Sequence, residues 1–180
     1  MFQVNDKVIY PGHGVAIIKE LLEKNVSNSK ALFFKLSFPY KDMTVLVPQH
    51  RLEAAGIREL SNKTEITQAL RELSQLPKLS TNGEVAPAGW SRRHREYQLK
   101  IQRGRLVDVA SIYRDLMYTS IRKELSFGEK SLMQTTEELL VQEIFTAQDC
   151  NEDEAIDLVR GPFKIKEKTN QQEKQTSSGA

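Results

Sequence analysis

At 180 residues, 39% of them hydrophobic and 28% charged, the chain has room for one modest core or two small ones. A formal charge of only +2 excludes a global positive field, so affinity for nucleic acid has to come from local clustering of charge. A single cysteine, Cys150, excludes an intramolecular disulfide and a thiolate zinc cluster.

No apolar run approaches the roughly 20 residues of a membrane span. The start, Met1 to Lys7, lacks the basic and apolar stretches of a signal peptide. A reducing, cytoplasmic setting away from membranes is expected.

In chain order, the first fifty residues have strand character. Val4, Val8, Ile9 and Tyr10 lead into Pro11-Gly12-His13-Gly14, a turn whose glycines allow positive φ. Val15-Ala16-Ile17-Ile18 begins a second strand, Asn25 to Ser29 is a polar break, Ala31 to Leu36 is a third strand and Met43 to Pro48 a fourth. Short strands separated by turn signals predict a small antiparallel sheet or open barrel, Tudor- or SH3-like at this size.

After Gly56 the period changes. Asn62 with Glu65 offers a capping pair before Ile66, Ala69, Leu70 and Leu73, and Pro77 ends that helix. Residues 79–89 read as an exposed connection. A basic helix runs from about Ser91 to Gly104, and another from Leu106 to Arg122. Ser126 and Glu129 have capping-box form ahead of Leu132, Thr136, Leu139, Leu140 and Ile144. Asn151 repeats the pattern for a last short helix that Gly161-Pro162 should terminate, leaving 164–180 as an unstructured polar tail. The expected architecture is therefore α+β, with a β module over 1–58, about five helices over 59–163, and the tail.

Nothing in the sequence assembles a catalytic site. His13, His50 and His94 lie in three different kinds of segment, none with a metal-ligand partner at helical spacing, and both common phosphate-binding glycine patterns are missing. Neither an enzyme nor a cofactor is expected.

The stretch that carries most chemistry is Pro87-Ala88-Gly89-Trp90-Ser91-Arg92-Arg93-His94-Arg95. It holds the only tryptophan, and from Trp90 to Arg105 six basic side chains (Arg92, Arg93, Arg95, Lys100, Arg103, Arg105) face one acid, Glu96. Clustered cations bind phosphates by releasing counterions, and a large apolar side chain among them can wedge between bases at a kink or melted step. The competing reading is a core tryptophan on a helix with a solvated charged face. Arg93, Tyr97 and Lys100 fall on one helical face, with Arg92 and Arg103 on another.

These pieces resemble the CarD/CdnL proteins, bacterial transcription regulators that bind RNA polymerase. The match spans residues 2–160 and rests on four segments in order. They are Phe2-x-Val4-x-Asp6-Lys7-Val8-Ile9-Tyr10-Pro11-Gly12-His13-Gly14-Val15, then Thr44-Val45-Leu46-Val47-Pro48, Trp90-Ser91-Arg92-Arg93, and Leu125-Ser126-Phe127-Gly128-Glu129-Lys130.

The resemblance implies a Tudor-like domain docked on the polymerase β subunit and a helical domain on promoter DNA at the upstream edge of the transcription bubble. Trp90 would be a minor-groove wedge, with Arg92, Arg93, Arg95 and Lys130 on the DNA backbone, in a monomer acting at the nucleoid without sequence specificity. Where relatives carry a basic residue for the polymerase contact, this chain has Leu46. Either the contact is more apolar, or Lys24 or Lys41 supplies the charge. Leu46 is also open to a core role, since one residue of register decides its face. The alternative function is an adaptor that bridges polymerase and a second protein through the helices, without DNA.

Overall fold

The structure, a computed structural model, describes residues 2–26, 29–77 and 89–177. Much of the connection expected over 79–89 lies outside the described residues.

Five antiparallel strands come first: β1 (Lys7–Tyr10), β2 (Gly14–Val26), β3 (Ser29–Phe38), β4 (Met43–Pro48) and β5 (Arg58–Glu59), in the order β4-β3-β2-β1-β5. Alternation decides the core face. Phe34, Leu36 and Phe38 point inward with Val8, Ala16, Ile18 and Val47, and Leu52 and Ile57 close the cluster. The sheet is the expected Tudor-like module. A bulge between Ile18 and Glu20 keeps Ile17, Glu20 and Leu22 on the outer face.

Five helices follow: α1 (Lys63–Ser74), α2 (Trp90–Arg103), α3 (Leu106–Arg122), α4 (Phe127–Gln148) and α5 (Glu152–Ser177). Local signals set most of their ends. Asn62 accepts from the N–H groups of Thr64 and Glu65 while Glu65 accepts from that of Asn62, and the Ser126–Glu129 pair forms the second reciprocal box. Asn151 and Glu154 exchange the same bonds at 2.8 and 3.1 Å. Gly104 closes α2 in the left-handed conformation at φ 70°.

One expectation is corrected. Gly161-Pro162 does not terminate α5, and the segment expected as a loose tail continues the helix as far as Ser177. A proline inside a helix costs about 3 kcal/mol. Here the next residue offsets that cost. Phe163 is 1% exposed and meets the edges of Tyr113 and Tyr118 at 5.8 and 6.0 Å, a burial of about 1.5–3 kcal/mol plus two aromatic contacts. Beyond that anchor the sequence is rich in Lys, Glu and Gln, which are good helix formers, and an established helix propagates cheaply.

The two halves meet along a closely packed seam. The Pro11–Gly14 turn supplies its sheet side. Gly14 has φ 93°, a conformation that favours glycine, and a Cβ there would press on the end of the Gln142 side chain of α4 at 2.5 Å and on Leu139 Cδ2 at 3.3 Å. Arg58, in β5, donates to both carboxylate oxygens of Glu143 at 2.7 and 2.9 Å and to the Gly104 carbonyl at 2.7 Å. The Ser61 N–H adds a third bond to Glu143. Below this network a cavity of only about 20 Å³ remains. Tyr40 on the β3–β4 turn meets Phe145 of α4 edge-on at 5.4 Å, so α4 covers one end of the outer sheet face.

Candidate functional site

Trp90 is the first residue of α2, with Gly89 at the cap position. Its indole is partly buried against the helical core and lies on the first turn of α4. A Cβ on Gly128 would come within 3.1 Å of Trp90 Cζ2, so glycine at 128 is what lets the ring approach. The His94 ring sits 5.2 Å from the indole, and the Arg93 guanidinium stands 5.9 Å over its face, within cation–π range.

The structure places Arg93, which the resemblance puts on the DNA backbone, on the inner side of α2. Its side chain is 12% exposed and donates from Nη2 to Glu129 Oε1 at 3.2 Å. Its Nε is buried with no hydrogen-bond partner among the described residues. The whole face that Arg93 shares with Tyr97 and Lys100 turns inward. Tyr97 is buried, and Lys100 donates to the Ser111 hydroxyl at 3.0 Å. The physical reason is the 3.6-residue period, which puts these three under the apolar positions that hold α2 to its neighbours. Arg93 therefore braces Trp90 from within.

Glu129 is the hub of that brace. It is 2% exposed, accepts from the Ser126 N–H at 2.9 Å and hydroxyl at 3.0 Å, and lies 3.6 Å from Lys123 Nζ. Burial pushes its pKa up. The Ser126 bonds, Lys123 and Arg93 outweigh burial, and the carboxyl is held below the ordinary glutamate value. One carboxylate thus caps α4 and ties the end of α3, the start of α2 and the tryptophan's cation together.

The other expected cations face water. Arg92 is 77% exposed and paired with Glu96 one turn on, and Arg95 is exposed. Lys130 is 55% exposed and reaches Glu124 at 2.8 Å. Exposed pairs of this kind are worth about 0–1 kcal/mol, so a phosphate can readily displace the acid. Arg92, Arg95 and Lys130 lie on the helices that carry and support Trp90, and the structure brings α2 and the α4 start together. Lys123 joins them from the end of α3.

Two features beside the tryptophan went unassigned in the sequence. Lys123 had no local signal, since only the tertiary approach to Glu129 places it. Phe127, 89% exposed, did have one. The apolar face of α4 through Leu132, Thr136 and Leu139 projects back to 128 and 129 and leaves 127 outside.

The sheet presents a second surface. Register pairs Leu46 with Lys35 and Lys35 with Glu20, and the next row of the same face joins Pro48, Phe33 and Leu22. Leu46 is 38% exposed while its neighbour Val47 is 5% exposed, so Leu46 faces outward and not into the core. Lys24 lies on this face beyond Leu22, opposite Ala31. Lys41 is exposed in the β3–β4 turn. The cation next to Leu46 is Lys35.

Among the described residues, no group of three or more His, Cys, Asp and Glu side chains is placed to hold a metal ion, and no helix is long and apolar enough to cross a membrane. The three histidines stay apart: His13 in the seam turn, His50 after β4 and His94 against Trp90.

Residues 2–61 match the CarD-like/TRCF RID domain and residues 63–160 match the CarD C-terminal domain. A putative transcription factor, YdeB of Bacillus subtilis (strain 168), is 28% identical over 144 residues, covering 80% of this chain and 90% of that protein. Both halves match in order across nearly all of the sheet and helices, and the chain belongs to the CarD family of transcription regulators.

Proposed function

We propose that this regulator docks on the β subunit of RNA polymerase through the outer face of its sheet and stabilises the open promoter complex with Trp90 at the upstream edge of the melted DNA. The observation that carries the reading is the seat of Trp90. A braced indole lies at a helix start beside solvent-facing cations, Arg92, Arg95, Lys123 and Lys130. Such a rim attracts phosphates of any sequence, and the apolar ring favours a step whose bases are already unstacked.

Unstacking costs a few kcal/mol, and promoter DNA held open by polymerase has met that cost. The ring therefore binds open DNA better than closed DNA, and only such a difference shifts the equilibrium. Docking raises the local concentration at the promoter, so a chain of charge +2 suffices. The match to the RID domain supports polymerase as the partner of the sheet. Leu46, with Leu22, Phe33 and Pro48 around it, makes the docking face more apolar than a charge pair would, and Lys24 and Lys35 form its cationic border.

The test is open-complex lifetime on a short promoter with purified polymerase, comparing no factor, wild type and Trp90→Ala, with melting curves for both proteins. Wild type lengthens the lifetime and the folded variant does not. No effect from wild type sinks the reading and leaves the adaptor.

A further inference from the structure

Phe127 has no part in the bracing of Trp90, and it is the most exposed large apolar side chain among the described residues, at 89%. Its position is fixed. It is the first residue of α4, held by the reciprocal Ser126–Glu129 bonds, and its successor Gly128 carries the Trp90 indole. The two aromatic residues are thus anchored on adjacent backbone, one ring seated and the other free in water.

The surroundings decide what the free ring suits. Lys123 is 58% exposed and tied to the same carboxylate that caps this turn, and Lys130, one helical turn beyond Phe127, is 55% exposed. Arg122 is exposed just before them. Glu129 is consumed inside, which leaves Glu124 as the exposed acid of this stretch, already paired with Lys130. The near neighbours of Phe127 on the first turn of α4 are Ser126, Gly128, Lys130 and Ser131, small or polar residues. A single aromatic ring rimmed by cations is the arrangement that takes an unpaired base by its face and the adjoining phosphates by their charge.

We propose that Phe127 is a second base-contacting side chain, stacking on an unpaired base next to the step that Trp90 meets. The proposal rests on the reading of the Trp90 face as a surface for melted DNA and adds to it a preference for single-stranded bases. Stacking of this kind tolerates any sequence, because every base has a π-face.

The experiment uses the full chain, with binding at low salt to a labelled fork (a duplex with unpaired arms) and to the blunt duplex of the same sequence. Wild type, Phe127→Ala, Phe127→Trp and Trp90→Ala are compared, each with a melting curve. Phe127→Ala, at an exposed position, melts as wild type does. It weakens fork binding about fivefold or more and leaves duplex binding within about twofold, and Phe127→Trp restores the fork affinity. If Trp90→Ala weakens fork binding while Phe127→Ala does not, the Trp90 reading stands and the second contact is overturned. Equal loss on fork and duplex also overturns it. If wild type shows no preference for the fork and Trp90→Ala changes nothing, both fall together.

Discussion

Replacing Glu129 by Gln separates the brace of Trp90 from the bare packing of the helices. In the wild type one oxygen accepts the two Ser126 bonds, and the other accepts Arg93 Nη2 at 3.2 Å. An amide keeps only one accepting end. If that end caps α4, the amide NH₂ faces the Arg93 guanidinium, donor against donor, and Arg93 already has an Nε with no hydrogen-bond partner among the described residues. Losing one hydrogen bond between charged groups costs about 1.5–3 kcal/mol. Lys123, 58% exposed and 3.6 Å away, adds little. For a chain of this size each kcal/mol moves Tm by about 2–4 °C, so Glu129→Gln melts roughly 3–12 °C lower.

The tryptophan itself provides the second readout, since the chain has only one. Release of Arg93 from above the ring shifts its emission to the red and raises quenching by acrylamide. The pH dependence follows from the carboxyl's lowered pKa. Because the folded value lies below the unfolded one, about 4.3, the charged form stabilises the fold above that pH, and the benefit is lost as pH falls through the folded value. The gap between wild type and variant is therefore full above about pH 5.5 and closes on further acidification below about pH 4. A Tm within about 1 °C of wild type at neutral pH, under the same scale, would refute the brace. So would a lower Tm with unchanged emission and quenching, which would reduce Glu129 to a helix cap.

Three further outcomes are expected. Gly14→Ala forces a left-handed φ on alanine and makes the end of the Gln142 side chain move aside, and it loses about 1–2 kcal/mol in denaturant titration, whereas a loss below about 0.5 kcal/mol contradicts the need for glycine in this turn. Glu143→Ala removes the charge partner of Arg58 and the acceptor of the Ser61 N–H, leaving Arg58 its bonds to the Gly104 and Glu59 carbonyls, and costs about 3 kcal/mol; calorimetry showing the unfolding of sheet and helices drawn apart is the expected signature. Leu46→Glu, on the outer face, changes stability by about 0.5 kcal/mol or less but abolishes capture of the polymerase β subunit; retained capture removes Leu46 from the docking face.

What the sequence by itself determined are the features whose physics closes within a few residues. The caps at Asn62, Ser126 and Asn151 are bonds between neighbours three apart, and Gly104 ends α2 through its own φ. These were legible because each signal is an exchange between a side chain and its own stretch of backbone.

The tertiary structure alone decided which cations are free. On sequence Arg92 and Arg93 are equivalent members of one basic run, yet a carboxylate 36 residues away draws Arg93 inward and leaves Arg92 in water. Likewise Arg58 becomes the tie of the seam only because Glu143, 85 residues on, faces it. Pro162 follows the same rule: its local cost is real, and the offset lies in the distant rings of Tyr113 and Tyr118. Propensity and period are properties of a short segment. The sign of a buried charge's contribution, and the benefit of passing a proline, depend on partners that only the folded chain brings within a few ångströms.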